Sequence, residues 1–463
     1  MTLIKSISGF RGTIGGKSGD TLSPIDIVKS VSAYAEMRKK YVGEYEKKIV
    51  VGRDARISGQ MVSQVVCGTL LSMGFDVVNI GLATTPTTEV AVTMERAVGG
   101  IILTASHNPR HWNALKFLNE RGEFLPPADA AEVVRLADEA DFVYETVDGI
   151  GKYTEDNTYN AKHIQAVLEL DLVDVKAIQE ANFSVAFDAV NSVGGIILPQ
   201  LFEALGVKNY TGLYTEPTGD FAHDPEPLEK NLQDLKALMQ KGSYDIGFVV
   251  DPDVDRLAMF CENGEMYGEE YTLVTVADYV LQHTPGNTVS NLSSTRALRD
   301  ITRKYGRTYS ASAVGEVNVT TKMKEVGAVI GGEGNGGVIY PASHYGRDSL
   351  VGIALMLTYL AKRKLTMSEL RATYPQYYIA KNRIDLDAST DVDAILAKVK
   401  ELYSKEEISD IDGVKIDFED KWVHLRKSNT EPIIRVYSEA HTMEEADALG
   451  KEIMDVVYSM AKA

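Results

Sequence analysis

The chain contains little cysteine and no long apolar run. Only two of its 463 residues are cysteine, Cys67 and Cys261, and both lie in apolar segments typical of small buried side chains. Two cysteines cannot build the disulfide framework of a small secreted domain, so we expect a protein of the reducing cytoplasm. No stretch reaches the roughly 18 apolar residues that a membrane-spanning helix needs. The first residues lack the apolar core and cleavage site of a signal peptide, which argues against export.

Basic residues are scarce relative to acidic ones. Forty-eight Lys and Arg against 66 Asp and Glu give a net charge of −18. A chain this acidic has no general attraction for nucleic acid or for anionic lipid, because both bind basic patches. We therefore expect neither nucleic acid nor a membrane as a partner. An anionic substrate would have to be bound by a few locally placed cations.

Three segments repeat one local pattern: an apolar strand, a polar turn, an amphipathic helix, a glycine and a second short strand. The repeats begin at Lys48, Phe183 and Thr288, and the third predicts a helix over 297–304. Each is the signature of a βαβ unit in a helix-covered sheet. The tail instead predicts the order strand, helix, three strands, helix, which is typical of a small α+β domain with an antiparallel sheet. Its strands are predicted at 374–386, 413–418, 422–425 and 433–437.

A polar turn follows the apolar strand that begins at Ile101. The segment 104–109 reads Thr-Ala-Ser-His-Asn-Pro and places Ser106 beside His107. Ser106 is a candidate nucleophile on a tight turn, and the alternative is an ordinary Asx or proline turn. A serine hydrolase triad is disfavoured, because adjacent residues rarely face each other and the glycines of a nucleophile elbow are missing.

Three aspartates alternate directly after a second apolar strand. Asp251, Asp253 and Asp255 would bring three carboxylates to one point, and such a cluster needs a cation to offset its repulsion. Hard oxygen ligands select Mg²⁺ or Ca²⁺. An EF-hand loop is a competing interpretation, with Glu262 at its twelfth position, but Arg256 stands where that loop requires glycine. A solvated acidic turn is the remaining alternative.

Two further segments suit a phosphorylated sugar. The segment 331–341 has five glycines within its first seven positions, and its Glu333 and Asn335 can hydrogen-bond hydroxyl groups. The segment 426–435 places a Ser-Asn-Thr turn between Arg426 and Arg435, an arrangement that suits a phosphate monoester. The alternatives are an ordinary glycine-rich loop and an exposed hairpin loop.

With these four segments in this order, the chain resembles the α-D-phosphohexomutase family over nearly its whole length. The matching segments are 10–13 (N-terminal signature), 104–109 (phosphoserine loop), 251–256 (metal loop), 332–336 (sugar loop) and 426–432 (phosphate loop). The resemblance implies an α/β protein: three related α/β domains with mixed sheets, plus a smaller C-terminal α+β domain, around a central cleft. We place these domains, each with one of the last four loops, at residues 1–150, 151–256, 257–373 and 374–463.

The resemblance also implies an intramolecular phosphotransferase. Ser106 would carry a phosphoryl group between the 6- and 1-positions of a hexose phosphate, with hexose 1,6-bisphosphate as intermediate and activator. Mg²⁺ would be held by Ser106, as phosphoserine, and by Asp251, Asp253 and Asp255. The further catalytic candidates are Arg11, Arg256, Lys116 and His107, the last two as alternative proton carriers.

The remaining implied residues bind the substrate. They are Glu333, Asn335, Gly336 and Glu316 toward the sugar, and Arg426, Ser428, Asn429, Thr430 and Arg435 toward the phosphate that does not react. The segment 314–318, Val-Gly-Glu-Val-Asn, looks closer to the Val-Gly-Asp segment of phosphoglucosamine mutases. A carboxylate at Glu316 would favour a 2-ammonium group, and the alternative is an ordinary acidic loop residue.

We therefore favour conversion of glucosamine 6-phosphate to glucosamine 1-phosphate, with phosphoglucomutase/phosphomannomutase as the alternative. A metal-dependent phosphatase and a non-catalytic sugar-phosphate binding protein are more distant alternatives. The expected partner is a small hexose phosphate, and the expected state is a monomer or homodimer.

Overall fold

Two compact units make up the structure, a computed structural model that describes residues 2–6, 9–387, 390–427 and 433–461. The first unit runs to Thr272 and includes Asn335–Ser368. The second combines Leu273–Gly334 with the chain from Glu369 onward.

A seven-stranded sheet opens the first unit. Its strands and helices are β1 (Ile4–Ser6), β2 (Gly9–Thr13), α1 (Pro24–Arg38), β3 (Glu46–Arg53), α2 (Gly59–Ser72), β4 (Asp76–Leu82), α3 (Thr85–Met94), β5 (Ala97–Leu103), β6 (Trp112–Leu118), α4 (Pro127–Glu139) and β7 (Tyr153–Glu155). The strand order is β1-β2-β6-β5-β3-β4-β7. Strands β5, β3, β4 and β7 are parallel to their neighbours in this order, and β6, β2 and β1 add an antiparallel edge beside β5. Every residue of β5 is buried, because the strand lies in the middle of the sheet.

A second, four-stranded sheet belongs to the same unit. Its elements are α5 (Tyr159–Leu168), α6 (Val175–Ala181), β8 (Ser184–Asp188), α7 (Gly194–Leu205), β9 (Asn209–Leu213), α8 (Gln233–Lys241), β10 (Ile246–Val250) and β11 (Leu257–Cys261). The strand order is β11-β10-β8-β9, and β10 and β11 form an antiparallel hairpin. The domain boundary expected after residue 256 would cut this hairpin between two hydrogen-bonded strands. We therefore propose that the second domain ends after β11.

The third predicted repeat forms a parallel sheet in the second unit. After α9 (Glu269–His283), the chain forms β12 (Asn287–Asn291), α10 (Ala297–Lys304), β13 (Tyr309–Ser312), α11 (Glu316–Val326) and β14 (Ala328–Glu333). Strand β12 lies between β13 and β14 and is parallel to both. The chain then continues through β15 (Gly337–Ile339), α12 (Ser349–Arg363) and α13 (Met367–Ala372).

The tail forms an antiparallel sheet with two helices. Its elements are β16 (Tyr378–Asp385), α14 (Val392–Leu402), β17 (Glu407–Ser409), β18 (Val414–Asp417), β19 (Trp422–Lys427), β20 (Ile433–Ala440) and α15 (Met443–Ala461). The strand order is β16-β20-β19-β18-β17. Apolar side chains of α14 and α15 pack with those of the sheet in one core that includes Val399, Ile434 and Ile453. The edge strand β17 is an addition to the predicted order.

The α/β class and the distinct C-terminal domain are therefore confirmed. Both cysteines are buried, as predicted, and burial raises the pKa of the Cys67 thiol to about 11. Across the described ranges, no helix combines the length and apolarity that crossing a bilayer would need.

Candidate functional site

Ser106 lies in a tight turn at the carboxyl end of β5. Its backbone has φ +48°, in the left-handed region that residues with a side chain rarely adopt. Its Oγ donates a hydrogen bond to Asp251 Oδ2 at 2.7 Å and lies 3.4 Å from His107 Nδ1. The side chain is 8% exposed, so the hydroxyl is nearly enclosed. The turn therefore places one serine oxygen directly against the acidic loop.

The three aspartates form the loop of the β10–β11 hairpin and are completely buried. One oxygen of each of Asp251, Asp253 and Asp255 lies within 4.8 Å of the others. The backbone N–H groups of Asp255 and Arg256 both donate to Asp251 Oδ1 at 3.2 Å, which fixes the Asp251 side chain. The alternation seen in the sequence thus becomes convergence of three carboxylates beside Ser106.

Two of the predicted cations face this acidic loop. Lys116 of β6 donates from Nζ to Asp253 Oδ2 at 2.8 Å and lies 3.9 Å from Asp255 Oδ2. Arg256 Nε lies 3.9 Å from Asp251 Oδ2. Arg11 is on β2, paired with Ala114 of β6. Since paired residues and residues two apart on a strand share a face, Arg11 and Lys116 are on the same face of the sheet.

Sequence reasoning missed two residues that bind these carboxylates. Arg347 donates to Asp255 Oδ2 at 2.6 Å. Thr85, the first residue of α3, donates from its hydroxyl to Asp253 Oδ2 at 2.6 Å and from its backbone to the Asp253 carbonyl at 2.9 Å. A Thr-Thr-Pro helix start and the Gly-Arg-Asp turn before α12 were the only signals available.

The ionisable groups of the site perturb one another strongly. Burial, followed by repulsion from Asp255 and Asp253, raises the pKa of Asp251 well above its usual range. Burial acts in the same direction on Asp253, but the charge of Lys116 and the hydrogen bonds from Lys116 and Thr85 together lower the pKa of Asp253. For Lys116, burial would lower the pKa, but the attraction of the aspartates raises it. Burial and then Arg256 lower the pKa of His107 to about 2, so its imidazole is neutral.

The acidic loop fits a divalent cation. The second oxygens, Asp253 Oδ1 and Asp255 Oδ1, are buried without a hydrogen-bond partner among the residues that the structure describes. A buried carboxylate oxygen without a partner is costly, and coordination to a cation would satisfy it. All three donors are hard oxygens, which suit Mg²⁺ or Ca²⁺. The chemistry of this loop therefore suits a divalent metal.

The predicted sugar-binding residues belong to both units. In the second unit, Glu333 ends β14 and accepts hydrogen bonds from Asn291 Nδ2 at 2.9 Å and from the Gly315 N–H at 3.1 Å. Glu316 is the first residue of α11 and is 8% exposed. The segment around Gly315 therefore brings Glu316 and Glu333 to the same end of this parallel sheet.

Asn335 and Gly336 belong to the first unit. Asn335 Oδ1 accepts a hydrogen bond from the Gly337 N–H at 3.2 Å, which closes a local turn. Gly336 has φ +87°, and a Cβ there would lie 2.4 Å from the Leu257 carbonyl oxygen. This close approach to the start of β11 explains the glycine without reference to a ligand.

Three arginines lie side by side across the C-terminal sheet. Arg435 of β20 is paired with Arg426 of β19 on one side and with Arg383 of β16 on the other. Like charges directly opposite each other are unfavourable unless an anion offsets them. Two of the three arginines lie beside carboxylates: Arg426 Nε is 3.1 Å from Asp412 Oδ2, and Arg383 Nε is 3.4 Å from Asp385 Oδ1. Sequence reasoning missed Arg383, because its alignment depends on strand register, and the predicted contacts Ser428, Asn429 and Thr430 lie outside the described residues.

A second cluster of histidines and carboxylates fixes the start of α12. His344 lies between two buried carboxylates, with Nε2 3.0 Å from Asp348 Oδ2 and Nδ1 3.2 Å from Glu89 Oε2. His163 Nε2 is 2.9 Å from the same Asp348 oxygen. Burial would lower the pKa of His344, but Asp348 and Glu89 raise it to about 10. Imidazolium–carboxylate hydrogen bonds therefore account for this cluster.

We expect the free energy of unfolding to fall as the pH rises between about 6.5 and about 10. The folded protein binds the His344 proton more tightly than the unfolded chain, so this stabilisation is complete below pH 6.5 and lost through pH 10. Replacing His344 with glutamine leaves the carboxylates without their cation and is expected to cost about 3–5 kcal/mol near pH 6.5. Urea unfolding of both proteins at the two pH values tests this. An unchanged pH dependence in the variant would contradict it.

Family models match the chain in four consecutive segments, one for each of the four domains. Models of the phosphoglucomutase/phosphomannomutase α/β/α domains I, II and III match residues 4–144, 161–264 and 268–378, and the model of the C-terminal domain matches residues 383–456. A phosphoglucomutase/phosphomannomutase of Thermococcus kodakarensis is 35% identical over 441 residues, which are 94% of this chain and 95% of the relative. A phosphoglucosamine/phosphogalactosamine mutase of Sulfurisphaera tokodaii is 32% identical, covering 89% of this chain and 91% of the relative.

A solved structure supports the same family assignment. A phosphoglucomutase/phosphomannomutase family protein of Burkholderia thailandensis is 26% identical and superposes with a TM-score of 0.85, over 99% of this chain and 98% of that one. The resemblance seen in the sequence motifs is thereby confirmed. The chain belongs to the phosphoglucomutase/phosphomannomutase family, the α-D-phosphohexomutases.

Proposed function

We propose that this phosphohexomutase moves a phosphoryl group between the 6- and 1-positions of a hexose phosphate through phosphorylated Ser106. The observation that carries the proposal is the 2.7 Å contact between Ser106 Oγ and Asp251, within a buried acidic loop that also contacts Lys116. A serine fixed beside a cation site and enclosed from water suits phosphoryl transfer, which depends on positioning and charge stabilisation.

Asp251, Asp253 and Asp255, with an oxygen of phosphorylated Ser106, would hold Mg²⁺. When bound, Mg²⁺ supplies positive charge that offsets the charge on the transferring phosphoryl oxygens. The buried carboxylate oxygens without hydrogen-bond partners support this assignment.

The surrounding side chains supply the remaining functions. Lys116, Arg256 and Arg11 are cations directed at the transferring group. As the phosphorus–Oγ bond breaks, the attacking sugar hydroxyl loses its proton, and the neutral imidazole of His107 accepts it. Lys116, whose pKa the aspartates raise, is protonated, so as a proton carrier it donates. His107 Nδ1 lies 3.4 Å from Ser106 Oγ, which supports its part in this step.

The substrate must bind in two orientations, because the hexose 1,6-bisphosphate formed by the first transfer has to turn before the second. Glu333 and Asn335 would bind hydroxyl groups present in both orientations. The row of Arg426, Arg435 and Arg383 would hold the phosphate that does not react, because guanidinium groups bind phosphate oxygens through pairs of charge-assisted hydrogen bonds.

We propose glucosamine 6-phosphate as the preferred substrate, converted to glucosamine 1-phosphate, with the carboxylate of Glu316 near the 2-ammonium group. Glu316 stands at the end of the sheet that also carries Glu333. Glucose and mannose phosphates are the alternative, which the name of the 35% identical Thermococcus kodakarensis relative favours.

Coupled assays of kcat/KM for glucosamine, glucose and mannose phosphates, with bisphosphate present, test the proposal. Glu316→Gln is expected to lower kcat/KM for glucosamine phosphate at least about tenfold, because a charge-assisted hydrogen bond is lost. The same variant should leave glucose phosphate turnover within about threefold. A preference for glucose or mannose phosphate in the unmodified enzyme would establish the alternative. Steady phosphate release without isomerisation would indicate a phosphatase, and binding without turnover a sugar-phosphate binding protein.

A further inference from the structure

Arg56 is a buried arginine whose side chain lies against the turn that carries Ser106. It is 1% exposed, and each of its five side-chain N–H donors has a partner. The partners are Asp54 Oδ2 for Nε, the carbonyls of Pro109 and Trp112 for Nη1, and the carbonyls of Ser106 and Asn108 for Nη2. The Phe221 ring covers the guanidinium at 5.1 Å. One side chain therefore binds four carbonyls between Ser106 and Trp112, in the turn that leads from β5 into the start of β6.

The same turn is fixed from its other side by Thr104. The Ser106 N–H donates to Thr104 Oγ1 at 2.9 Å, and Thr104 Oγ1 donates to Asp54 Oδ2 at 2.7 Å. Asp54 is completely buried and also binds Arg56. Both the N–H and the carbonyl of Ser106 are thus tied to one ion pair. This pair offsets the cost of the left-handed backbone at Ser106.

The segment that carries Arg56 is also linked to the acidic loop through Ser192. The Ala55 N–H donates to Ser192 Oγ at 3.3 Å, and Ser192 Oγ donates to the Pro252 carbonyl at 2.6 Å. Ser192 is completely buried. The segment 54–56 is therefore connected to the serine turn through Arg56 and to the loop of three aspartates through Ser192.

We propose that Arg56 is a positioning residue for phosphoryl transfer. It holds the Ser106 turn in its left-handed conformation, so that Oγ faces the acidic loop and the transferring phosphoryl group is in line with the acceptor. The proposal rests on the proposed function of Ser106 as the phosphoryl carrier. Lysine offers three donors from one nitrogen and cannot bind the carboxylate and four carbonyls together.

The test is Arg56→Lys in the full-length enzyme, assayed with hexose phosphate, bisphosphate and Mg²⁺. A misplacement of about 1 Å costs about 100-fold in rate, so we expect kcat to fall about 100-fold while KM changes less than about threefold. The value of KM should change little, because residues other than Arg56 bind the substrate.

Arg38→Lys is the matched control. Arg38 is equally buried, in α1 of the same domain, and it also binds a carbonyl and a carboxylate, those of Val98 and Glu120. The Arg38→Lys substitution should lower the melting temperature without lowering kcat. Thr104→Val loosens the same turn without altering the arginine, and we expect the same loss of kcat at constant KM. This variant keeps the proposal testable if Arg56→Lys does not fold.

The proposal is overturned if kcat survives in the folded variants of Arg56 and Thr104, or if Arg38→Lys loses kcat to the same extent as Arg56→Lys. Failure of the proposed function gives a different result: the unmodified enzyme would not isomerise hexose phosphates, or Ser106→Ala would retain its activity.

Discussion

Replacing Ser106 with alanine is expected to lower kcat by at least about 10⁴-fold, because the variant has no atom to carry the phosphoryl group. The fold should persist, since the Ser106 side chain makes its hydrogen bonds with Asp251 and His107, both within the site itself, among the residues that the structure describes. A coupled mutase assay with bisphosphate measures the loss, and circular dichroism checks the fold. Intact-mass measurement after incubation with hexose bisphosphate should detect one added phosphoryl group on the unmodified protein and none on the variant.

Ser30→Ala is the control for this substitution. Ser30 is a buried serine of α1 whose hydroxyl donates to the Asp26 carbonyl, and it makes no contact with the acidic loop. Loss of the Ser30 hydroxyl should leave kcat and the phosphorylation of the protein unchanged. Retention of more than about 1% of the activity in Ser106→Ala would refute the assignment of Ser106, because loss of a nucleophile leaves far less.

The sequence predicted helices and strands well where the spacing of apolar residues and the positions of turn residues indicate the same element. The helix predicted over 297–304 is α10 with the same bounds, and the strand predicted at 422–425 is contained in β19. The missed strand β17 has three residues and is paired only with β18 at the edge of its sheet. Such a short edge strand carries no recognisable alternating pattern, because its three residues include only one apolar side chain, Ile408, which packs against the core.

The candidate site could be predicted in part. Ser106 and the three aspartates were evident because each follows a buried strand, and polar residues at strand ends commonly bind ligands. Arg56, Thr85 and Arg347 were not, since they contact partners 50, 168 and 92 residues away in the chain. No local pattern encodes such contacts. The alignment of Arg383 with Arg435 likewise depends on register, which a one-residue slip would abolish.

Asp251→Asn is expected to move stability and activity in opposite directions. Without metal, burial and the neighbouring carboxylates raise the pKa of Asp251, so its ionised form destabilises the folded protein at neutral pH. Asparagine removes that charge, and the melting temperature of the metal-free variant should rise. The same change removes a hard anionic ligand, so Mg²⁺ affinity should fall at least about tenfold and kcat/KM about 10³-fold or more.

Thermal unfolding with and without Mg²⁺, calorimetric Mg²⁺ titration and the mutase assay measure these effects. In the unmodified protein, Mg²⁺ should raise the melting temperature, because a cation bound only by the folded state stabilises it. This increase should shrink in Asp251→Asn.

Asp188→Asn is the control, because Asp188 ends the neighbouring strand β8, is equally buried and is paired with His223 at 3.1 Å. Losing that pair should lower stability and leave the response to Mg²⁺ unchanged. If Asp251→Asn destabilised the metal-free protein as Asp188→Asn does, the acidic loop would be a satisfied hydrogen-bonded turn. The repulsion that predicts a cation there would then be absent.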